Sequence, residues 1–367
     1  MPNVLVTVGL RGALDPETSR QVANNDLVAH LRMFRYLLEM VETNGVYVSG
    51  GPNTTVPRLV GGLEDVGVEN PSVRNLANTV SRAVKNATDR FLPYAAYARN
   101  TGTDAHCGCP AIACDFVIDV TPQASSPDST RCLDCSARIV PLQHILHANE
   151  TRFLRKCPQI FVDEEWTKDR FEQEVWKPLF RFANTAEIYD RQIYRIVEGT
   201  INSAKAADRD QYIAGVKWIC KAFGEAAAPH RSLAGEPSPR VLIFNGEFRR
   251  TMMKEAMKSL GQRSTDHPDA LLRCAGTQIL RRECEIDRIE QDHAIKVRFG
   301  INLFEWPDRP SMRMRHNRYV KTRYAYVAID RGIPVFQGEP HLSMTDVIPL
   351  GRGIESVNPG RCDFSFA

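Results

Sequence analysis

The sequence predicts an α/β protein of two domains: a helix-rich α/β domain over residues 1–150 and an α/β sandwich with a mixed sheet over residues 151–367. Three observations lead to this prediction. Short apolar runs alternate with stretches whose apolar residues recur at helical spacing. A chain of 367 residues is long enough for two domains of ordinary size. The two parts also differ in charge, with 12 basic and 15 acidic residues before position 151 and 35 basic and 29 acidic residues after it.

The first domain begins with a short apolar strand over Val4–Val8, followed by a helix over Leu27–Val41. Gly45–Val48 is a second short strand, closed by a Gly-Gly-Pro turn. The pattern of residues 73–98 predicts a further helix, which is broken around Pro93. This alternation fits either an α/β domain or a mostly helical one.

In the second domain, the spacing of apolar residues predicts alternating helices and strands, and Pro178 interrupts the first helix. The predicted helices are Thr167–Ala183, one that carries Tyr212 to Phe223, and Glu247–Leu260. The predicted strands are Ile188–Ile193 and Arg240–Phe244, with later strands in Ala294–Phe304 and Met312–Ile329. Parallel strands in this order need right-handed crossovers. The later strands make the predicted sheet mixed.

Composition predicts a soluble globular protein, with 43% hydrophobic and 25% charged residues. No stretch approaches the roughly 18 uninterrupted apolar residues that a transmembrane segment needs. The first residues show no basic leader followed by a long apolar run, so we expect a cytoplasmic, prokaryotic protein. In that setting the ten cysteines are better interpreted as thiols or metal ligands than as disulfides.

The most basic stretch of the chain is Arg309–Arg323, which has six Arg or Lys and no Asp or Glu. Its period-two alternation continues to Ile329, and its Tyr and Val content predicts strand. The excess of basic over acidic residues in the second domain is weak support for a polyanion partner there.

Within this stretch, His316 and Arg318 lie on one face of the predicted strand, while Arg313 and Arg315 lie on the other. A nucleophile or base beside a fixed guanidinium suits a phosphate, since the guanidinium binds two phosphate oxygens at once. The alternative is an edge strand made basic to discourage aggregation.

The stretch Ile295–Phe336 resembles the phospholipase D-like module found at the C-terminus of MIT-domain proteins and in bacterial conflict-system proteins. The residues that carry the resemblance are His316, Arg318, Tyr319, Arg331, Gly332 and Phe336. Residues 186–193 resemble the early strand of the same module. The chain departs from active members at Arg318, where they have Lys, and it has no second His motif.

The resemblance implies a phosphodiesterase or nuclease that acts on a nucleic-acid backbone in prokaryotic antiviral defence, with no cofactor for catalysis. His316 would attack phosphorus, or activate water, while Arg318 neutralises the equatorial oxygens. Asp190 or Asp330 would orient the imidazole. The candidate phosphate-binding residues are Arg313, Arg315, Lys321, Arg323 and Arg331.

A second imidazole is needed to protonate the leaving oxygen. A homodimer that opposes two copies of His316 would supply it, and His341 or His293 would supply it within one chain. The competing hypothesis is a non-catalytic subunit of a larger complex, which binds nucleic acid or phospholipid headgroups through the same arginines.

A cysteine cluster over residues 106–135 predicts a structural zinc knuckle. Cys132 and Cys135 have the C-x-x-C spacing that lets two thiolates reach one tetrahedral ion. The candidate ligands are Cys107, Cys109, Cys114, Cys132 and Cys135, with His106 as a further candidate. The alternative is a set of ordinary buried or redox-active thiols. His144 and His147 lie three positions apart; we expect a partly solvated pair, with metal binding as the alternative.

Overall fold

The structure is a computed structural model that describes residues 5–14, 16–49, 52–92, 114–122, 138–146, 160–162, 166–227, 238–261, 268–304, 318–329, 333, 345–350 and 365–366. The chain divides into two compact units, residues 5–157 and residues 158–367 together with 1–4. Each unit combines helices with a sheet, so the predicted α/β class is confirmed. In the described part of the chain, no helix is long and apolar enough to cross a membrane.

The N-terminal unit is a parallel sheet with helices. Its elements are β1 (Val6–Arg11), α1 (Pro16–Arg20), α2 (Asn24–Asn44), β2 (Gly45–Ser49), α3 (Val56–Glu69), α4 (Arg74–Asn86), β3 (Phe116–Asp119) and β4 (Ile139–Pro141). The strand order is β2-β1-β3-β4, and every neighbouring pair is parallel. The domain is therefore α/β rather than mostly helical, which decides between the two alternatives that the sequence left open.

The strand order of the N-terminal unit creates a switch point. The chain passes from β1 to β2 on one side, and β3 then pairs with the other side of β1. In doubly wound sheets, loops diverge at such a point and leave a crevice beyond the carboxyl ends of the strands. The carboxyl ends of β1 and β3 meet in register at Arg11 and Asp119.

The C-terminal unit contains an eight-stranded sheet in its described part, with the order β12-β8-β7-β6-β9-β10-β11-β5. Its elements are β5 (Ile160–Val162), α5 (Lys168–Phe171), α6 (Lys177–Phe180), β6 (Thr185–Tyr189), α7 (Tyr194–Ile201), α8 (Ala206–Ala227), β7 (Arg240–Arg249), α9 (Arg250–Ser259), α10 (Asp269–Glu283), α11 (Ile286–His293), β8 (Lys296–Phe304), β9 (Arg318–Lys321), β10 (Tyr326–Ile329), β11 (Thr345–Leu350) and β12 (Ser365–Phe366). The three strands β6, β7 and β8 are parallel, and the other pairings are antiparallel. The predicted mixed sheet is confirmed.

One face of this sheet packs against helices. The chain steps from β6 to β7 to β8 in a single direction, so right-handed crossovers place the connecting helices on the same face. A Cβ added to Gly276 of α10 would lie 2.8 Å from Ile301 Cδ1 of β8 and 2.8 Å from Met253 Cε of α9. Side chains that alternate with Ile301 along β8 face away from the helices, and among them Lys296 and Arg298 are exposed.

Several predicted bounds shift in the structure, each for a local reason. The helix predicted around Pro178 is divided by a π-helical segment, Glu172–Trp176, and Pro178 occupies the first turn of α6, where no N–H is needed. The strand predicted to reach Ile193 ends at Tyr189, because Asp190 accepts from Gln192 N at 2.9 Å and begins a 3₁₀ turn.

The predicted continuous alternation from residue 312 to residue 329 is also interrupted. Strands β9 and β10 form an antiparallel hairpin around Thr322. The Thr322 hydroxyl accepts from Tyr324 N at 3.3 Å and from Ala325 N at 3.2 Å, which closes the turn. Period-two patterns do not distinguish one long strand from two paired ones when the turn residues themselves are apolar or β-branched.

Candidate functional site

The sequence-predicted residues Asp190 and Arg318 meet at one end of the C-terminal sheet. Asp190 directly follows β6, and Arg318 begins the neighbouring antiparallel strand β9. Arg318 Nε lies 3.7 Å from Asp190 Oδ1. The Arg318 side chain is 15% exposed and the Asp190 side chain 1% exposed. Two residues separated by 127 positions are therefore brought together by strand pairing.

The Asp190 carboxylate is held by several donors. Oδ1 accepts from Gln192 N at 2.9 Å, and Oδ2 accepts from Ile333 N at 3.3 Å. Burial raises the pKa of Asp190 above its usual value, while Arg318 and the two backbone N–H groups act to lower it. This buried carboxylate lies within ion-pair distance of the Arg318 guanidinium and attracts it.

Tyr212 of α8 adds a phenol to the same site. Its hydroxyl donates to Gln192 Oε1 at 2.8 Å, and its side chain is buried. Burial raises the pKa of Tyr212; the Asp190 carboxylate raises it further, and Arg318 opposes this. The Arg195 guanidinium lies over the Tyr212 ring at 6.0 Å from its centroid, and Arg195 also donates to Asp208 at 2.9 Å. The phenol therefore stays protonated and acts as a hydrogen-bond donor.

Gln192 and Tyr212 were not predicted as site residues. Helical periodicity placed Tyr212 on the apolar stripe of a helix, and this stripe is indeed buried. The only local signal was the Asp-x-Gln order after a strand, which is common in turns. Their meeting with Asp190 depends on how α8 packs, and one sequence does not encode that in any local pattern.

The other predicted site residues are placed as follows. Lys321 Nζ lies 3.6 Å from Glu187 Oε2 on the face of the sheet opposite the described helices. Arg323 is exposed in the β9–β10 turn, with its guanidinium 5.8 Å from the centroid of the Tyr324 ring. The remaining predicted residues lie outside the described residues: His316, Asp330, Arg313, Arg315, Arg331 and His341. His293 ends α11 and packs against α8, where a Cβ added to Gly224 would lie 2.5 Å from its Cβ.

The predicted zinc ligands fall mostly outside the described residues, namely Cys107, Cys109, Cys132 and Cys135, together with His106 and His147. Cys114 is half-buried just before β3. His144 ends a 3₁₀ turn after β4, and its Nε2 is buried. Within the described ranges, no three His, Cys, Asp or Glu side chains come together in a metal-binding group.

A second polar cluster lies at the switch point of the N-terminal unit. Arg11 Nε donates to Asp119 Oδ2 at 2.9 Å, and Asp119 Oδ1 accepts from Thr121 N at 3.0 Å. The Thr121 hydroxyl accepts from Ala13 N at 3.2 Å. Gly12 joins these groups with a φ of 89°, which favours glycine. These hydrogen bonds connect the loop after β1 to the loop after β3. The cluster was not predicted from the sequence.

Comparisons with known proteins identify no relative. The chain matches no family model, and neither a curated protein nor a solved structure shows significant similarity to it.

Proposed function

We propose that the protein is a phosphodiesterase of phospholipase D-like type, which acts on a nucleic-acid backbone at the end of the C-terminal sheet marked by Asp190 and Arg318. The observation that carries the proposal is the guanidinium of Arg318, which is mostly buried and lies 3.7 Å from a carboxylate that is 1% exposed. A guanidinium placed in this way suits binding of two oxygens of one phosphate.

The proposed chemistry assigns a role to each residue. His316 lies two positions before Arg318, so a continued strand would place both side chains on one face. His316 attacks phosphorus and the leaving oxygen departs with a proton from a second imidazole, which a homodimer supplies through the other copy of His316. Arg318 stabilises charge on the equatorial oxygens, and Asp190 positions Arg318.

Asp330 remains the proposed partner of the His316 imidazole. Both oxygens of Asp190 accept from backbone N–H groups, and its Oδ1 is also the atom nearest Arg318 Nε. A carboxylate with these commitments is better suited to positioning Arg318 than to orienting an imidazole. Arg313, Arg315, Lys321, Arg323 and Arg331 then act as phosphate-binding residues.

The second candidate function is binding without cleavage, as a subunit of a larger complex in antiviral defence. The observation that favours it is the Arg318–Asp190 pair itself, because a guanidinium beside a buried carboxylate already has part of its charge balanced. In that case the same surface holds nucleic acid, and His316 takes no part in chemistry.

The test compares cleavage and binding in one set of variants. His316→Ala should abolish phosphodiester cleavage of a fluorescent oligonucleotide while leaving its affinity within about twofold, because the surrounding cations carry binding. Arg318→Lys should retain part of the activity, and Arg318→Ala should lose both activity and some affinity.

The matched control is His230→Ala, which removes a histidine outside the basic stretch and should cleave like the wild type. The assays are run with and without magnesium, since the proposed nucleophile needs no metal. Cleavage that survives His316→Ala, or that depends on added magnesium, contradicts the assignment. Binding by a wild type that cleaves nothing selects the second candidate.

A further inference from the structure

We propose that the face of the C-terminal sheet opposite the described helices, at the amino ends of the parallel strands, binds the phosphate backbone of a nucleic acid. This basic sheet face consists of Arg240 on β7, Lys296 and Arg298 on β8, and Lys321 on β9. The inference rests on the proposed function for the identity of the polyanion, and it deepens that function by extending the binding surface from Lys321 to cations on β7 and β8.

Strand register places the four cations on one face. Arg240 pairs with Lys296 across β7 and β8, and Leu242 pairs with Arg298. Neighbouring strands lie about 4.8 Å apart and residues two apart along a strand about 6.6 Å, so Arg240, Lys296 and Arg298 start from adjacent positions. Arg240, Lys296 and Arg298 are exposed.

The opposite face of the same strands is apolar. Val241 and Ile243 on β7 and Val297 and Phe299 on β8 are all buried. The face that bears the cations is mixed along the strands: the cations lie toward the amino ends of the parallel strands, whereas Tyr189, Phe244 and Tyr319 further along the same face form a buried cluster of stacked rings. The cations are confined to one face of the strands, so they do not reflect a segment that is basic on both faces.

The charge on this face is partly balanced, since Lys321 Nζ lies 3.6 Å from Glu187 Oε2. Neither Arg240 nor Arg298 forms an ion pair with a carboxylate in the described part of the chain, and Arg240 Nε donates to the Thr185 hydroxyl at 3.1 Å. Lys296 Nζ lies 3.9 Å from a Glu290 oxygen, at the limit of an ion pair. Like charges directly opposite in a sheet are destabilising. Arg240 opposite Lys296 thus costs stability in the free protein, and an anionic partner removes that cost.

The chemistry of the face favours a nucleic acid over a lipid membrane. A surface that inserts into a membrane carries exposed large apolar side chains beside its cations. The described residues contain two large apolar side chains that are strongly exposed, Val68 and Leu271, and neither belongs to β6, β7, β8 or β9. A face of exposed cations around polar Thr185 and Glu187 suits phosphates that remain in water.

The experiment measures binding of the full chain to a fluorescent 30-nucleotide single strand as salt is varied. The test variant Arg240→Gln/Lys296→Gln/Arg298→Gln should bind at least tenfold more weakly in low salt. It should also lower the slope of log affinity against log salt by about 2, because each lost phosphate contact on a single strand removes about 0.7 from it.

The control variant Lys254→Gln/Lys258→Gln/Arg288→Gln removes the same charge from exposed positions on α9 and α11 of the helical layer. It should bind like the wild type. Equal weakening in both triple variants would show a general charge effect and overturn the proposed face. A thermal unfolding curve checks that each variant is folded, and the single charge reversal Arg298→Glu, at an exposed position, provides the answer if a triple variant fails to fold.

Two further outcomes separate this inference from the proposed function. A wild type that binds the oligonucleotide through this face but cleaves nothing supports the face and contradicts the phosphodiesterase. A test variant that binds normally, beside a His316→Ala variant that has lost cleavage, overturns the face and leaves the phosphodiesterase in place. Preferential binding to vesicles containing about 30% phosphatidylserine, with no oligonucleotide binding, overturns the nucleic-acid partner.

Discussion

At the scale of single residues, the informative groups are ionisable side chains buried inside the two units. Asp190 is paired with Arg318, and its carboxylate also accepts two backbone N–H groups. His30 is buried in the N-terminal unit, where its Nε2 lies 2.9 Å from the Val120 carbonyl oxygen. Each of these environments favours one protonation state, so each leads to a measurable prediction.

The Asp190–Arg318 pair should be energetically coupled. Asp190→Asn leaves a mostly buried guanidinium without its counter-charge, and we expect it to lower the free energy of unfolding by about 3 kcal/mol. Arg318→Gln should cost a similar amount. The double variant should cost about 2 kcal/mol less than the sum, as contacting residues usually do. Urea unfolding of the four proteins measures this coupling, and strict additivity would show that the two side chains do not interact.

His30 should make stability depend on pH. Burial lowers the pKa of His30 from 6.5 to about 4, so the folded state holds the neutral ring while the unfolded state takes up a proton near pH 6.5. The stability that the folded protein gains by keeping His30 neutral amounts to about 3 kcal/mol. It is fully present above pH 6.5 and is lost as the pH falls toward 4. Neutral Nε2–H donates to Val120 in this state.

The control is His30→Gln, which keeps a donor near the Val120 carbonyl but does not titrate. Carboxylates titrate in both proteins, so the difference between their unfolding free energies isolates His30. The free energy of unfolding of the wild type minus that of the variant should fall by a few kcal/mol between pH 7 and pH 4.5. A difference that stays constant over this range would mean that His30 is not held neutral.

At the scale of elements, loops at the carboxyl ends of strands determine where polar groups can meet. The β1 loop turns at Gly12, which has a positive φ, and it contacts the end of β3 through Thr121. The β9–β10 turn depends in the same way on the Thr322 hydroxyl. The lack of a side chain at Gly12 and the hydroxyl of Thr322 therefore determine the path of the backbone at these two turns.

Gly12→Ala should destabilise the N-terminal unit. Its Cβ would lie 2.2 Å from Thr121 Oγ1 and 2.6 Å from Asp119 Oδ1, and its φ of 89° is strained for any residue with a Cβ. We expect a loss of about 2 kcal/mol or more in the free energy of unfolding. The matched control is Gly61→Ala in α3, where the added Cβ meets nothing within 4 Å. It should gain up to about 1 kcal/mol from higher helix propensity, and thermal unfolding of both variants checks the contrast.

At the scale of the whole molecule, the two units differ in charge and in sheet type. The first unit has 15 basic and 15 acidic residues and is built on a parallel sheet, and the second has 32 basic and 29 acidic residues and is built on a mixed sheet. The cysteine cluster belongs to the first unit and the basic stretch to the second. We expect the first unit to contribute a metal-stabilised segment and the second to contribute the contacts with nucleic acid.

The zinc prediction concerns the composition of the purified protein. One zinc per chain should be found by elemental analysis, because Cys132 and Cys135 have zinc-knuckle spacing and three further cysteines lie upstream. Cys132→Ser should lose the metal and make residues 106–135 sensitive to protease. The control Cys274→Ser changes an exposed cysteine of α10 and should keep the metal. Wild-type protein without any bound metal would sink the prediction.

The sequence by itself determined the α/β class and the approximate positions of many helices and strands, because apolar periodicity follows directly from which face of an element is buried. It also named Asp190 and Arg318, through the His316-x-Arg318 pattern and the resemblance of residues 186–193 to a known module, but it did not predict that the two side chains pair with each other. It could not predict the parallel sheet order of the N-terminal unit or the Arg11–Asp119 cluster. Both depend on pairings between residues more than 100 positions apart.

The tertiary structure alone decided which side chains share a surface. Arg240, Lys296 and Arg298 occur in ordinary strands, and only the register of β7 and β8 makes them one basic face. Tyr212 reached the Asp190 site in the same way, through the packing of its helix. A local pattern records whether a residue is buried, but the partner that buries it is chosen by contacts across the whole chain, and those contacts exist only in the folded state.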